Sequence, residues 1–314
     1  MLWGFLLLLV ATASCSHGNV KKQTQDAAKE QRPDLVIGLM PVTDCLPFYV
    51  AGYNHTFTKN GVRVRIKTFA SSLKCEDAFI KGEIDGAYFT IPQMLYVDNR
   101  GVELKAVMGL PGEMTVVTNR TRRIKKLSSM GGRTIALSRH DTSEFLVDDI
   151  AEITKIKRFE LLRPQINDIF TRSRMLADNQ VDAAVLPSPH DRVLIRNGNV
   201  RVLSTNNAKI HFGSVCFHDS VVKGKSEKIR ALIKSYSVAA TKINGSNASA
   251  DSVLIKIYRM DPAMLDSIKL PKFEKLQSVD SKDFKRAAEW GRKDGFINRV
   301  PEFEDLVSRK FTRE

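Results

Sequence analysis

Short polar side chains follow several apolar runs in this chain, and their types suit the binding of a small polar molecule. They are Thr43, Asp44, Tyr49, Ser71, Ser72, Thr90, Glu113, Ser138, Asp141, Thr142, Ser143, Glu144 and Ser188. Ser71 and Ser72 precede a helix-like run, where backbone N–H groups and hydroxyls suit an anion such as a sulfonate or carboxylate. Asp141 or Glu144 would instead favour a ligand with a cationic or donor group. Taken singly, each hydroxyl also fits a helix cap.

Catalytic and metal-binding patterns are missing from the same sequence. The histidines at 55, 140, 190, 211 and 218 form no HxxxH or HxxE pair, so no zinc site is expected. Neither GxSxG nor a glycine-rich phosphate loop occurs. Ser188 and His190 stand two apart at a strand end, where a nucleophile and its base do not meet. The sequence therefore favours a binding protein over an enzyme, with no metal and no cofactor.

The chain contains an internal repeat. "GEIDGAYFTIP" at 82–92 and "NQVDAAVLPSP" at 179–189 share an Asp in fourth place, Asp85 and Asp182, and a proline in eleventh. With the offset of 97 the apolar and polar positions correspond over about 65 residues without a gap, and such self-similarity determines architecture. Both aspartates stand at a tight turn before a strand, so we expect them to bind backbone donors rather than to take part in chemistry.

Each copy predicts strand, helix, strand, helix, strand. The strands are expected at 36–40, 62–69 and 86–90 in the first copy, and at 134–137, 159–166 and 183–187 in the second. This alternation builds a parallel sheet, which binds ligands beyond the carboxyl ends of its strands. Two such lobes with facing loop ends would form a cleft between them, and the polar residues named above would line it.

The remaining segments predict how the lobes are joined. Strand-like "MTVVTNR" (114–120) and "FGSVCFHDSVV" (212–222) leave the two copies and would form a hinge. Helical patterns follow, and we expect these helices to return to the first lobe, with Trp290 as a core anchor there. The predicted division is a first lobe of residues 34–117 plus 219–314 and a second lobe of residues 118–218.

The N-terminus predicts export. Residues 1–14 form an uncharged apolar run that is typical of a signal peptide, and Cys15 follows small residues as in a bacterial lipoprotein. Residues 15–33 would then be a flexible tether between a lipid on Cys15 and the folded body. We expect a cell-envelope protein held by its lipid on the periplasmic side of a membrane. An ordinary cleaved signal and an uncleaved short anchor are the alternatives.

Charge and cysteines add two expectations. The net charge of +14 is spread along the chain without an aromatic-rich basic stripe, so it indicates a solvated basic surface rather than nucleic-acid binding. Apart from Cys15 there are three cysteines, Cys45, Cys75 and Cys216, which allow one disulfide or three free thiols. We expect a monomer.

Several segments resemble the solute-binding proteins for nitrate, sulfonates, taurine and thiamine-precursor pyrimidines. The similarity is carried by "PFYVAGY" near residue 50, "GGRTIALSRHDTSEFLVDDI" after 130, "NQVDAAVLPSPHDRVLIRNG" after 178 and "AAEWGRKDGFINRVPEFEDLV" near the C-terminus. The resemblance implies an α/β, bilobal type II periplasmic-binding-protein fold, with two doubly wound lobes joined by two hinge strands. It also implies a partner permease of an ABC transporter. Some pyrimidine binders stack their ligand on tryptophan, whereas this chain would have to use Phe48, Tyr49, Tyr88 or Phe89.

The leading interpretation is a lipid-anchored protein that delivers a small polar molecule to an ABC importer by closing its cleft. The ligand would be sulfonate-, nitrate- or taurine-like, or pyrimidine-like. The alternatives are an enzyme of pyrimidine-precursor synthesis with the same fold, and a sensory lipoprotein without a transport role.

Overall fold

The computed structural model describes residues 32–312, of which those from Asp34 onward form one compact unit. The predicted signal peptide, the lipidation site Cys15 and the tether up to residue 31 lie outside the described residues. Within residues 32–312, the structure contains no helix that combines the length and the apolar character needed to span a bilayer.

Two mixed sheets organise the described chain. The first contains β1 (Leu35–Leu39), β2 (Val64–Thr68), β3 (Gly86–Thr90), β4 (Leu104–Leu110) and β9 (Gly213–His218), in the order β2-β1-β3-β9-β4. The second contains β5 (Met114–Thr118), β6 (Ile135–Ala136), β7 (Ala183–Pro187) and β8 (Val200–Ser204), in the order β6-β7-β5-β8. We call the parts built on these sheets the first and the second lobe.

The predicted parallel core is present in each lobe, and the hinge strands extend it. β1 pairs in parallel with β2 and β3, and β6 pairs in parallel with β7. β9 and β5, which begin just after the chain changes lobes, pair antiparallel with β3 and β7 respectively. The α/β, bilobal prediction is therefore confirmed, with mixed rather than purely parallel sheets.

Helices cover both sheets. They are α1 (Leu46–Tyr53), α2 (Thr56–Lys59), α3 (Ser72–Ile80), α4 (Ile91–Asn99), α5 (Thr142–Thr154), α6 (Ile169–Ala177), α7 (His190–Arg196), α8 (Asp219–Gly224), α9 (Ser226–Gly245), α10 (Asp251–Lys256), α11 (Ser281–Asp294) and α12 (Phe303–Leu306). The helices nearest the strand ends begin with recognisable caps. Asp141 and Asp168 cap α5 and α6, and Thr90 with Gln93 forms a capping box on α4.

The chain crosses between the lobes twice, through residues 111–113 and 205–212. The crossings lie against each other at Gly112 and Gly213, where a Cβ on either residue would overlap the backbone of the other. Gly112 also has φ +65, a left-handed conformation that favours glycine. Sheet membership thus changes near residues 112 and 212, a few residues before the predicted boundaries at 118 and 218.

One predicted strand of the second copy is absent. Residues 159–166 contain part of a 3-10 turn at Arg158–Glu160 and two isolated parallel bridges, Thr134 to Leu162 and Leu137 to Gln165. Pro164 interrupts the segment between those bridges, and a proline has no N–H with which to continue a ladder. The segment therefore contacts the sheet through two isolated bridges but does not form a strand.

The C-terminal helices do more than cover the first lobe. α9 packs on α1 and α2, and α11 packs on α4, as expected. Trp290 is a core residue, as predicted, but it also contacts the second lobe. Its indole Nε1 donates to Asp148 Oδ2 at 2.9 Å, and its ring meets Phe145 at 5.4 Å between centroids, so it contacts α5 of the second lobe.

Cysteine pairing is settled for the described residues. Cys45, Cys75 and Cys216 are free and fully buried, and burial raises the pKa of each thiol, to about 12 for Cys216. They behave as small core residues with no reactive thiolate at neutral pH.

Candidate functional site

The carboxyl ends of the strands in both lobes meet around a gap of only about 20 Å³, which we call the interlobe gap. Its walls come from the strand ends and helix starts of both sheets. They are Met40, Val42, Ser72, Tyr88, Thr90, Gln93, Glu113, Met114, Asp141, Asn167, Ile169, Arg172 and Pro187. This volume has room for about one water molecule. The structure is therefore a closed form of the two lobes.

Hydrogen bonds hold the two lobes together across this gap. The Thr43 N–H donates to the Ser188 carbonyl at 2.7 Å, and the Ile169 N–H donates to the Ala70 carbonyl at 2.9 Å. The hydroxyls of Ser72 and Ser138 lie 2.7 Å apart. In this closed form, the two lobes therefore bond to each other through groups that would be available to a ligand if the lobes separated.

Arg172 brings a positive charge to the gap. Its side chain is almost fully buried, at 2 % exposure, and Nη1 donates to the Ile166 carbonyl at 2.7 Å. Its Nε is buried with no hydrogen-bond partner among the described residues. Burial lowers the pKa of the guanidinium, and the carboxylates of Asp141 and Asp168 oppose that effect. A buried guanidinium with a free donor suits a carboxylate, sulfonate or other planar or oxygen-rich anion.

An opposing cluster lies on the first lobe. Gln93 Nε2 donates to Glu76 Oε1 at 2.7 Å, and the N–H and hydroxyl of Thr90 both donate to Gln93 Oε1. Burial raises the pKa of Glu76 to about 8, and the carboxylate of Asp141 adds to the shift. Glu76 is therefore mainly a neutral acid at pH 7, so it does not neutralise Arg172.

The start of α5 uses most of its polar residues on itself. The Ser143 N–H donates to Asp141 Oδ1 at 2.8 Å, and the Ser138 N–H donates to the Ser143 hydroxyl at 2.8 Å. Burial raises the pKa of Asp141. The hydroxyl of Thr142 is buried without a partner among the described residues. Asp141 lines the gap, whereas Ser143 serves mainly as part of the cap.

Most of the other predicted residues do not line the gap with their side chains. Tyr49 donates its hydroxyl to the Leu39 carbonyl inside the first lobe, and Ser71 caps α3. Glu144 accepts from the His140 N–H at 2.8 Å. Ser188 contributes its carbonyl to lobe contact, while its hydroxyl has no partner among the described residues. Of the four aromatic residues considered for stacking, Tyr88 lines the gap, and Phe48 and Phe89 pack against Tyr236 and Phe79.

Thr43 and Asp44 face a different space. A cavity of about 570 Å³, the hinge cavity, lies beside the two crossings and is also lined by Glu113. Asp44 Oδ2 accepts from the Gly112 N–H at 2.7 Å and from the Tyr88 hydroxyl at 3.0 Å. Burial raises the pKa of Asp44 to about 6. Glu113 pairs with Arg192 at 2.9 Å and accepts from Asn206 Nδ2 at 3.1 Å.

Sequence reasoning missed Glu76, Gln93, Asn167 and Arg172. One signal for Arg172 was present: the repeat offset of 97 places it at the position of Cys75, which is buried. An arginine at a position that the repeat marks as buried is unusual, because a buried charge needs a partner. Glu76 and Gln93 gave no comparable signal, since helix residues of these types are usually exposed.

Comparisons with known proteins agree with this fold. Residues 28–132 match the model of the NMT1-like family. The alkanesulfonate-binding protein SsuA from Xanthomonas axonopodis pv. citri, bound to MOPS, superposes with a TM-score of 0.76 at 14% identity, over 88% of this chain and 98% of that one. The periplasmic aliphatic sulphonate binding protein SsuA from Escherichia coli superposes with a TM-score of 0.73 at 13% identity, over 90% of this chain and 94% of that one.

A nitrate-binding protein shares the architecture as well. The periplasmic NrtA from Synechocystis PCC 6803 superposes with a TM-score of 0.70 at 11% identity, over 88% of this chain and 86% of that one. No curated protein matches the sequence. The predicted resemblance is thus confirmed: residues 28–132 match the NMT1-like family model, and the described chain shares the bilobal fold of these periplasmic binding proteins.

Proposed function

We propose that the protein is an extracytoplasmic solute-binding protein that closes its two lobes on a small polar ligand at the interlobe gap. The observation that carries this proposal is the buried Arg172, whose Nε has no hydrogen-bond partner within residues 32–312 at the point where both lobes converge. An unpaired buried donor is costly, and a ligand oxygen would satisfy it. The ligand is therefore expected to carry an anionic or strongly accepting group.

The closed gap constrains how such a ligand enters. About 20 Å³ does not hold a sulfonate or a pyrimidine, so the lobes must separate first. The Ser72–Ser138 contact and the Thr43–Ser188 bond are the ones that opening would break. The same groups, once separated, provide hydroxyls and N–H groups from opposite sides for the ligand. Binding then shifts the population of open and closed states.

The shared fold supports a role in transport. The superposed relatives bind sulfonate or nitrate, and their fold is shared at low identity. We propose that closure is read by an ABC-transporter permease, and that lipid on Cys15 holds the protein at the membrane. Incorporation of radiolabelled palmitate by the expressing cell, and its loss in Cys15→Ala, tests the anchor.

A thermal-shift screen tests the binding role. Sulfonates, nitrate, pyrimidines, amino acids and dicarboxylates are added singly to the purified protein. A true ligand at a hundredfold excess over its dissociation constant stabilises the folded state by about 2.7 kcal/mol. The result expected is a shift with an anionic member of the panel. The absence of any shift across the whole panel would contradict the proposal.

A further inference from the structure

The hinge cavity is a second candidate binding site, apart from the interlobe gap. Its volume of about 570 Å³ falls within the range of small-molecule sites. Its walls come from the loop after β1, the two lobe crossings, α9 and the segment 271–280. Five separate parts of the chain therefore converge on one space next to the hinge.

Two residues that line this cavity have buried hydroxyls with no hydrogen-bond partner within residues 32–312. Thr43 is 4% exposed, and its Oγ1 has no partner among the described residues. The same holds for Ser278 Oγ, which belongs to the segment that covers the cavity. Buried hydroxyls are normally paired, and a cavity beside them gives the place from which a partner would come.

A carboxyl group lies next to the first of these hydroxyls. Asp44 is 5% exposed, and both of its hydrogen bonds end on Oδ2. Neither of these bonds uses Oδ1, and burial rather than a neighbouring cation of residues 32–312 dominates the pKa of Asp44. Of the other acids in the wall, Glu113 is paired with Arg192, Asp280 caps α11, and Glu274 is exposed on the covering segment. Asp44 is thus the buried carboxyl that a ligand in the cavity would meet.

An apolar surface forms the inner part of the remaining wall. Leu110, Tyr236 and Val279 are buried and line the cavity, and Phe273 and Leu276 add partly buried surface from the covering segment. Lys272 and Lys275 also line the cavity from that segment, and both are exposed. A ligand that fits this space has a hydrophobic body and places a positive charge at its inner end.

We propose that the hinge cavity binds a small organic amine, separately from any ligand of the interlobe gap. Its ammonium group pairs with Asp44 and donates to the hydroxyl oxygens of Thr43 and Ser278, and its body packs on the apolar wall. An ammonium has several donors and no acceptor, which matches a set of one carboxylate and two hydroxyl oxygens. An anion would meet the charge of Asp44 and be rejected.

Titration calorimetry at pH 7.5 tests this with named probes. Phenethylamine, cyclohexylamine and putrescine are compared with 2-phenylethanol, which has the shape of the first probe without its charge. At least one amine is expected to bind, and phenethylamine at least tenfold more tightly than 2-phenylethanol. The proposal is overturned when no amine binds with a dissociation constant below about 1 mM, or when the alcohol binds as well as the amine.

Variants locate the site and separate it from the interlobe gap. Asp44→Asn keeps an acceptor for Tyr88 and Gly112 but removes the charge, so amine affinity should fall at least tenfold. Glu227→Gln changes an exposed carboxylate on α9 that does not line the hinge cavity, and it should leave affinity unchanged. Thr43→Val should weaken amine binding severalfold without lowering the melting temperature, because the hydroxyl that it removes has no partner in the described part of the chain.

Ser138→Val provides the control that keeps the two binding proposals distinguishable. Ser138 contacts Ser72 at the interlobe gap and does not line the hinge cavity. Amine affinity should survive this change whether or not the gap binds a solute. Equal loss of amine binding in Ser138→Val and Asp44→Asn, or no loss in Asp44→Asn, would overturn the assignment.

Discussion

Asp85 and Asp182 make the same two contacts in the two lobes. Asp85 Oδ2 accepts from the Val36 N–H at 2.6 Å, and Asp182 Oδ2 accepts from the Thr134 N–H at 2.9 Å. The other oxygen of each pairs with a cation, Lys225 at 3.0 Å and Arg122 at 2.9 Å. The repeated Asp thus ties the start of the third strand to the start of the first, which confirms its structural role and explains why the sequence repeats it.

Removing either aspartate should destabilise the protein by a similar amount. Asp85→Ala and Asp182→Ala each leave a partly buried strand N–H without its acceptor, at a cost of about 1–3 kcal/mol in the free energy of unfolding. Urea denaturation measures this. Because the sites lie in different lobes, the two losses should add in the double variant within about 0.5 kcal/mol.

The exposed Glu83 gives a matched control for these variants. It stands two residues before Asp85 and forms a 3.5 Å surface ion pair with Lys67. Glu83→Gln should change stability by less than about 0.5 kcal/mol. A loss in Asp85→Ala no larger than that of the control would contradict the role given to the turn aspartate.

Arg172 should decide the affinity for a ligand of the interlobe gap. Arg172→Met retains much of the buried volume but removes the guanidinium, so an anionic ligand identified by thermal shift should bind at least tenfold more weakly. The control is Arg174→Met, two residues further along α6 and exposed. Full ligand-dependent stabilisation in Arg172→Met, equal to that of Arg174→Met, would remove this residue from the site.

Glu76 should make the protein less stable as the pH rises. Its pKa is about 8 when folded, against 4.5 for the free side chain, so below pH 4.5 both states hold the proton. Between pH 4.5 and 8 the unfolded chain loses a proton that the native state keeps, and stability falls with pH. Above pH 8 the penalty is constant. Between pH 5 and pH 8, the free energy of unfolding of the neutral isostere Glu76→Gln should therefore rise relative to that of the wild type by on the order of 3 kcal/mol.

Urea denaturation at both pH values measures the effect of Glu76→Gln. Glutamine retains an oxygen that accepts from Gln93, so the hydrogen bond at this position is conserved. Asp77→Asn, at the exposed neighbouring position, should follow the pH dependence of the wild type. If the unfolding free energies of wild type and Glu76→Gln change equally with pH, the Glu76 carboxyl is not held neutral in the folded state.

The sequence predicted the repeated parts of the fold better than the contacts between them. β3 and β7 were expected at the residues where they lie, because each is an apolar run bounded by a turn aspartate and a proline. The strand expected at 159–166 failed because of Pro164. The pairing of Ser72 with Ser138 and the burial of Arg172 depend on how two lobes meet, which no local pattern records.

Closure of the lobes can be trapped through the pair Ser72 and Ser138. Their hydroxyls lie 2.7 Å apart on opposite lobes, so cysteines at both positions are close enough to form a disulfide. The native thiols are buried and should not compete. Oxidised Ser72→Cys/Ser138→Cys should keep a compact radius of gyration in small-angle X-ray scattering and lose its ligand-dependent thermal shift, because the ligand cannot enter.

Reduction should restore the shift, and Ser72→Cys alone should bind ligand under both conditions. A double variant that does not cross-link under oxidising conditions, or that binds ligand equally well when cross-linked, would contradict the view that solute enters through opening of this gap.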